Sequence, residues 1–449
     1  MKKFLVTICL CLGTLVAAEA QQKLELTLNQ ALDIALSDNP TIKVANLEIE
    51  RYDYVHKQAL SSLYPQVDAS AQYSLALRKQ EMAQGLSFGG KNTFNVAGTV
   101  SLPLFVPAVY RQLKMTRTQM EMAVESARST RIDLIAAVRS AYYSVLLAEQ
   151  SLSVLEEAAL TTDRVVKNTK DLYDNGLAAE YDYLTAKVQR SNLDPQIMQI
   201  KNGVEITKLQ LKMYLSIPED VDIEVIGSLN DFKDMALLGA DYEINLDDNT
   251  TLKTLDLQLD LLEHQEKLIQ TSRMPTVAAF GQISYIGQER SSDLGGLLGG
   301  MGGGATDATV EQSKFWWQYP ITIGAQINIP IFAGLKKTNQ LREVRNQREQ
   351  LRIQRSYAEE GVRLQVQQSI NTLLTARAMM LANGETVLQA EKAYEISLTR
   401  YEAGAGTILE LNSAQLSLTQ AQLSYSQSIY DYLAAYNDYE KALGKDVIE

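Results

Sequence analysis

The residue types that most often carry catalysis or bind metals are sparse in this 449-residue chain. Its two histidines, His56 and His264, have no metal-ligand spacing around them, and acidic pairs such as Asp247-Asp248 are better explained as solvated charge. The sequence contains no nucleophile elbow, no His-Glu-x-x-His pattern and no phosphate-binding loop. We therefore predict that the protein is not an enzyme and uses neither a metal nor a cofactor.

The first 20 residues have the pattern of a secretion signal. A basic start (Met1–Lys3) is followed by an apolar run, Phe4–Ala17, and by an Ala-Glu-Ala cleavage pattern that ends at Ala20. The apolar run has about 14 residues and is too short to cross a bilayer as a helix. We predict a cleaved signal peptide over 1–20, with an uncleaved anchor as the alternative.

Composition excludes several other classes of protein. The only cysteines, Cys9 and Cys11, lie in the predicted signal, so the mature chain is predicted to have no disulfide and no reactive thiol. The formal net charge is −12, which disfavours nucleic acid as a partner. No later stretch approaches the run of about 18 apolar residues that a membrane-spanning helix needs.

The helix- and strand-breaking residues occur twice in the same order. The matched landmarks are Pro65 with Pro275, Leu102–Phe105 with Ile329–Phe332, and Gly176 with Gly404. They predict a first repeat over 21–217, a connecting segment over 218–249 and a second repeat over 250–449. The landmarks are 210, 227 and 228 residues apart, and the difference predicts an insertion, which is the glycine-rich loop 287–313.

Each repeat has two segments in which apolar and small polar residues alternate: 67–77, 93–104, 277–285 and 321–329. Strands of about 11 residues are long enough to cross a bilayer when tilted, with the apolar face toward lipid. A soluble sheet with one wet face explains each strand equally well. The secretion signal and the aromatic residues at the strand ends favour a membrane barrel. These aromatics are Tyr64, Phe88, Phe105, Phe315, Trp316, Trp317, Tyr319 and Phe332.

Four strands cannot close a membrane-spanning barrel, for which about eight is the smallest usual number. Their edges must then pair with other copies of the chain. The strand count therefore predicts a homo-oligomer, and three copies would supply 12 strands.

Two helical stretches of about 65 to 68 residues follow the strand pairs, each roughly 100 Å long at the α-helical rise. Each turns at its glycine into an antiparallel return of about 35–40 residues, whose apolar and small residues are spaced three and four apart. Pro195 predicts a kink in the first return. Two shorter helices, over 29–63 and 250–272, are predicted to precede the strand pairs.

Taken together, these features resemble the TolC-type outer-membrane efflux proteins over nearly the whole mature chain. The resemblance lies in the signal peptide, in the proline joints, in the turns 175–177 and 404–407, and in the segment 408–414. It implies an α+β membrane protein: a trimer whose 12-stranded transmembrane β-barrel, with four strands per chain, continues as a long periplasmic α-helical barrel.

The family resemblance also implies a function, namely the passive exit duct of a tripartite efflux pump or of a type I secretion system. Its partners would be a periplasmic adaptor protein, an energy-supplying inner-membrane transporter and outer-membrane lipid. The alternative is a periplasmic coiled-coil structural or adaptor protein without a membrane barrel. Adaptors, however, have a single helical hairpin rather than two repeats.

Three groups of residues are assigned by this comparison. The adaptor-docking turns are Asn175, Gly176 and Leu177 together with Ala403, Gly404 and Ala405, and the interface aromatics are Trp316, Trp317, Tyr319, Phe105 and Phe332. The resemblance places the periplasmic gate at Tyr401, its partner Asp182, and Glu410 in an acidic ring, where carboxylates around a narrow axis would attract cations. The alternative is that the two acids are solvated charges at helix ends and that Tyr401 is ordinarily packed. The chain departs from the family pattern because Gly406 replaces an arginine and Ser413 replaces a second acid, so fewer or different links are predicted to close the gate.

Overall fold

A computed structural model describes residues 23–77, 80–81, 87–88, 91–232, 244–289 and 315–446. The predicted signal peptide and most of the glycine-rich loop 287–313 lie outside these ranges. Within the described ranges the chain divides into two compact units. The helical unit comprises the described residues up to Ile49, with Ala123–Asp256 and those from Ile353 onward, and the sheet unit comprises Glu50–Met122 and Leu257–Arg352.

The helices are α1 (Leu28–Asp38), α2 (Pro40–Ser61), α3 (Pro107–Asp174), α4 (Glu180–Leu215), α5 (Thr250–Thr271), α6 (Lys336–Glu402) and α7 (Ile408–Leu443). The strands are β1 (Leu24–Leu26), β2 (Gln66–Leu75), β3 (Gln80–Glu81), β4 (Ser87–Phe88), β5 (Asn92–Phe105), β6 (Ile223–Val225), β7 (Thr276–Glu289), β8 (Phe315–Gln318) and β9 (Ile321–Asn328). None of the helices in the described part of the chain combines the length and apolarity needed to cross a membrane.

The sheet unit confirms the four predicted alternating segments as strands of one antiparallel sheet. Its order is β2-β5-β7, and both β8 and β9 pair with the far side of β7. The register places the predicted apolar positions opposite one another: Val67 faces Val100, Val100 faces Gly281, and Gly281 faces Ile323. One face of the sheet is therefore apolar across all four strands, as the alternation predicts.

The two edges of this sheet, β2 on one side and β8 with β9 on the other, have no strand partner among the described residues. Every residue of β2 is exposed, and in β9 only one residue is not. A long exposed edge with an apolar face is a ready template for pairing with another chain.

The two joints from strand to long helix differ, which corrects the predicted equivalence of Phe105 and Phe332. β5 runs through Phe105, and α3 begins two residues later. β9 ends at Asn328, one residue before the predicted end, so that Phe332 lies in a loop before α6. In that loop Gly334 and Leu335 have φ angles of +56° and +63°, which turn the chain out of the extended path before the helix starts.

The predicted pairing of long helices with shorter returns is confirmed. α3 and α6 have 68 and 67 residues, and the returns α4 and α7 have 36 residues each. Pro195 lies inside α4, which continues on both sides of it.

The single helix predicted over 29–63 is wrong, because the chain breaks at Asn39 into α1 and α2. Pro40 cannot donate a helical hydrogen bond and disfavours a helical conformation for the residue before it. The Asn39 side chain caps the break, since its Oδ1 accepts the Thr41 N–H at 2.8 Å and its Nδ2 donates to the Tyr214 carbonyl at 2.7 Å. The second short helix, predicted over 250–272, forms as α5.

The four long helices of the helical unit pack together: α3 contacts both α4 and α7, and α7 also contacts α4 and α6. Ion pairs such as Lys208–Glu149, at 2.8 Å, join α4 to α3. Arg139 of α3 binds Glu440 of α7 at 2.6 Å, and Asn383 of α6 donates to a carbonyl of α7 at 3.3 Å. The strands β1 and β6 pair in parallel beside α3. The buried Tyr142 hydroxyl of α3 lies 2.5 Å from the carbonyl of Ile226, just after β6, and 3.2 Å from the carbonyl of Leu26, the last residue of β1.

Candidate functional site at the helix turns

The turns α3–α4 and α6–α7 have the same backbone geometry, as predicted for the two glycines. Gly176 and Gly404 both have φ = +71°. In each turn the residue after the glycine donates its N–H to the carbonyl of the residue five positions earlier, at a distance of 2.8 Å. The glycine itself donates its N–H to the carbonyl of the residue three positions earlier. This is the Schellman arrangement, which satisfies the last carbonyls of a helix and requires a left-handed residue.

Replacing either turn glycine with alanine is expected to lower the free energy of unfolding by about 1–2 kcal/mol, because an L side chain disfavours this backbone region. Gly203 provides the matched control, since it lies inside α4 with open space around its Cα. Gly203→Ala is expected to leave stability unchanged or raise it by up to about 1 kcal/mol, since alanine favours helix. Chemical denaturation of the three variants measures the difference, and equal effects would contradict it.

The second turn is closed by a capping box and by an arginine that the sequence analysis missed. Glu410 donates its backbone N–H to Thr407 Oγ1 at 3.2 Å and accepts the Thr407 N–H at 3.4 Å. Arg400 Nη2 lies 3.7 Å from the Glu410 carboxylate and donates to the Ala405 carbonyl at 3.2 Å. The Glu410 carboxylate is therefore held back over its own turn while remaining about half exposed.

Gly406, where the family pattern has an arginine, approaches the end of α6 closely. A Cβ on this residue would lie 3.1 Å from the Tyr401 nitrogen and 3.2 Å from the Arg400 Cβ. A side chain at this position would need the end of α6 to shift by a few tenths of an ångström. Arg400 supplies a guanidinium to the same turn from the helix side.

Tyr401 is held by α3. Its ring packs on a small apolar cluster formed by Val165, Ala186, Ile408 and Leu411. Its hydroxyl lies 3.0 Å from Oγ1 of the fully buried Thr169. Because Thr169 donates its only hydroxyl proton to the Val165 carbonyl at 2.8 Å, Tyr401 is the donor of this hydrogen bond.

Asp182 lies in the first turn of α4, at the other turn. Among the described residues of the single chain, no hydrogen bond joins it to Tyr401. The Tyr401–Asp182 link of the gate therefore stays a prediction.

The first turn carries exposed apolar and acidic groups. The Tyr173 and Tyr183 rings stack at 6.2 Å with planes 6° apart, which joins α3 to α4 beside the turn. Asn175 donates its side-chain amide to the Asp171 carbonyl at 2.7 Å. Leu177 is 76% exposed at the tip. A leucine so exposed is a candidate contact for another protein.

The strand-end aromatics fall into two groups at opposite ends of the sheet. Trp317 lies opposite Gly287, its ring occupying the space of a Gly287 side chain, and stacks on Tyr285 at 4.8 Å. Phe105 lies opposite Val277, at the other end of β7. The other members are Trp316, 58% exposed, Tyr319, 75% exposed, and Phe332, 80% exposed. Two aromatic rows separated by an apolar face are typical of a membrane-spanning sheet.

Comparison with known proteins gives concordant matches. Residues 31–216 and 242–445 match the family profile described as outer membrane efflux protein. Among curated relatives, outer membrane protein TolC of Escherichia coli is 21% identical over 400 residues, which cover 87% of this chain and 76% of TolC. The outer membrane efflux protein BepC of Brucella suis is 30% identical over 97 residues, which cover 22% of this chain. The matched segment covers 21% of the length of BepC.

A solved structure shows the same fold. The outer membrane protein VceC of Vibrio cholerae superposes with a TM-score of 0.71 at 17% sequence identity, covering 93% of this chain and 96% of VceC.

Proposed function

This chain belongs to the outer membrane efflux protein family, and from that membership we propose that it forms the outer-membrane exit duct of an efflux pump or a type I secretion system. One observation carries the proposal: a sheet with one continuous apolar face and an aromatic row at each end. Val277 and Gly287 mark the two rows on β7, ten residues apart. At about 3.3 Å per residue and a 45° tilt, that spacing covers roughly 23 Å, close to the apolar band of about 25 Å in outer-membrane barrels.

A homotrimer would satisfy the open edges. Three copies of the four-stranded sheet supply 12 strands, each β2 edge pairing with the β8–β9 edge of a neighbour. The alternative, a periplasmic coiled-coil protein without a barrel, leaves these edges and the apolar face unexplained.

The helical unit independently supports this assembly, because α4 and α6 expose apolar stripes. On α4 the exposed members are Tyr181, Leu184, Val188, Met198, Ile206, Leu209 and Met213. On α6 they are Ile353, Tyr357, Leu364, Leu374, Leu381 and Leu388. The spacings are three, four, eight and ten residues on α4 and four, seven and ten on α6, and at about 100° per residue they place each set on one helix face. Pairing α6 of one copy with α4 of the next would bury both stripes and close a helical barrel.

We further propose that the two halves arose by duplication. Asn249 caps α5 as Asn39 caps α2, with its Oδ1 accepting the Leu252 N–H at 3.1 Å and its Nδ2 donating to the Ala442 carbonyl at 2.9 Å. The carbonyl partners, Tyr214 and Ala442, lie at equivalent places near the ends of the return helices.

The two helix turns are proposed as the periplasmic end, where an adaptor protein docks and the channel closes. There, Tyr401→Phe is expected to increase the open fraction of the channel. The change removes the hydrogen bond to Thr169, worth about 0.5–1.5 kcal/mol, or roughly 2- to 13-fold in an equilibrium that breaks it. Tyr394→Phe, on the same helix, is the matched control. Single-channel recording in planar bilayers measures the open fraction, and equal values for both variants would contradict the role of Tyr401.

Glu410→Ala is expected to reduce the preference of the channel for cations, since three Glu410 carboxylates around a narrow axis would attract them. Glu391→Ala removes one exposed carboxylate from α6 and controls for the change in net charge. Reversal potentials in a salt gradient report the selectivity. An unchanged reversal potential in Glu410→Ala would exclude the acidic ring.

Fractionation tests the function itself. The proposal predicts heat-sensitive trimers in detergent extracts of outer membranes and stepwise conductance after reconstitution. A soluble periplasmic monomer would instead support the coiled-coil alternative. Export of a fluorescent pump substrate from cells distinguishes an efflux duct from another kind of passive pore. A duct predicts that export is lost when the gene is deleted and returns when the gene is restored.

A further inference from the structure

The loop that joins β9 to α6 combines exposed apolar side chains with cationic ones. Within the sheet unit this joint comprises residues 329–338 and the neighbouring Arg273, whose Nη2 donates to Thr338 Oγ1 at 3.2 Å. The large exposed side chains are Ile329 at 58%, Ile331 at 93%, Phe332 at 80% and Leu335 at 63%.

These apolar residues continue the apolar face of the sheet beyond its last hydrogen bond. Ile321, Ile323 and Ile327 alternate along β9 and are exposed, and Ile329 and Ile331 keep the same period after the strand ends. Leu335 is held at φ = +63°, a conformation that bulky residues rarely adopt, while its side chain stays exposed. Burial within the chain does not compensate for this strain, which points to a contact outside the chain.

Positively charged residues follow directly after the apolar residues of the joint. Residues 336–352 include six basic and two acidic residues, although the whole chain has a net charge of −12. Farther along α6, Arg345 and Arg348 bind the buried Glu266 at 2.8 and 3.2 Å. By contrast, no carboxylate in the described part of the chain forms an ion pair with Arg273, Lys336 or Lys337. Their charges are therefore available to an anion from outside.

Both kinds of side chain line one concave site. A cavity of about 250 Å³ is lined by the polar residues Arg273, Lys337 and Thr338 and by the apolar residues Ile331, Phe332 and Leu335. Its volume is below the range of about 300–1,000 Å³ typical of sites that enclose a small molecule. The site fits a small anionic group whose apolar remainder stays outside.

We propose that this joint binds the phosphate headgroup of an anionic phospholipid in the leaflet facing the periplasm. Arg273 and Lys337, which line the cavity, would contact the phosphate, and the exposed Lys336 would add charge beside it, while Ile331 and Phe332 extend into the acyl region. The inference rests on the proposed membrane location. The other strand-to-helix joint has no counterpart, because α3 follows β5 after a single residue. Each chain would thus hold one such lipid site.

Native mass spectrometry of the delipidated full-length protein, titrated with phosphatidylglycerol or phosphatidylcholine, tests the proposal. Phosphatidylglycerol is expected to bind more tightly. The double variant Lys336→Gln/Lys337→Gln is expected to weaken its binding about 25-fold, at about 5-fold per lysine, with little effect on phosphatidylcholine. Lys167→Gln/Lys170→Gln removes two exposed lysines of α3 and is expected to bind like the wild type.

Three results would overturn the lipid site: equal affinity for the two lipids, an equal loss in the control variant, or displacement of phosphatidylglycerol by glycerol 3-phosphate. The last would indicate a site for soluble phosphate. Conductance of the same preparations in planar bilayers separates this proposal from the proposed function. A wild type that fails to insert rejects the duct, whereas a conducting wild type with no lipid preference rejects only the headgroup site.

Discussion

Replacing Arg139 with methionine is expected to lower the free energy of unfolding by about 3–5 kcal/mol, the cost of leaving a buried carboxylate without its partner. Arg139 Nη1 and Glu440 Oε2 lie 2.6 Å apart, and their side chains are only 8% and 12% exposed. The neighbouring Tyr143 adds no second negative charge to the site. Burial raises the pKa of its hydroxyl to about 12, so that it stays neutral at physiological pH.

Two variants make this expectation specific. Arg139→Met/Glu440→Met removes both charges and should recover most of the loss, because a buried ion pair is often no more stabilising than apolar side chains of similar size. Lys201→Met breaks the Lys201–Glu156 pair, which has a length of 3.0 Å and side chains 56% and 47% exposed, and should cost less than about 1 kcal/mol. Pulse proteolysis in urea measures all three. An Arg139→Met loss no greater than that of Lys201→Met would contradict the burial argument.

Placing a charge on the apolar stripe of α6 is expected to weaken the proposed trimer strongly. Leu381 and Leu388 are 46% and 60% exposed in the single chain, and the proposed assembly buries both against α4 of a neighbour. Leu388→Asp would bury an unpaired carboxylate at each of three interfaces. At several kcal/mol each, the trimer should become at least about 100-fold weaker.

Gln389→Asp is the matched control, because it adds the same charge next to the stripe at an exposed position. Size-exclusion chromatography with light scattering, in a mild detergent, reports the mass of the assembly. Trimers that persist in Leu388→Asp at the same concentration as in Gln389→Asp would exclude this pairing of helices. This effect is independent of the Arg139–Glu440 pair, which joins α3 to α7 within one chain.

The strands could be predicted because their period of two is a local signal, and the register then follows from keeping apolar positions on one face. The turns at Gly176 and Gly404 could be predicted for the same reason, since a Schellman turn leaves a glycine in the sequence. The break at Asn39 was missed because helix-forming residues on both sides outweighed a single Asn-Pro step.

Long-range contacts were beyond any pattern in the sequence. Arg139 and Glu440 are 301 residues apart, and nothing in the spacing around either one indicates the other. Arg400 and Glu410 are near in sequence, but they meet only because the turn between them reverses the chain. The parallel pair β1–β6 has three residues in each strand, too few for a periodic signal.

The unlike edges of the chain restrict the symmetry of any assembly built on them. α4 and α6 bear different sequences, and so do the sheet edges β2 and β8–β9. Contacts between unlike surfaces are heterologous, so each copy offers one surface and receives the other. Such contacts generate closed cyclic rings or open helical filaments, never the isologous two-fold dimer. A cyclic ring has an axis that no subunit occupies, which is the geometric requirement for a central passage.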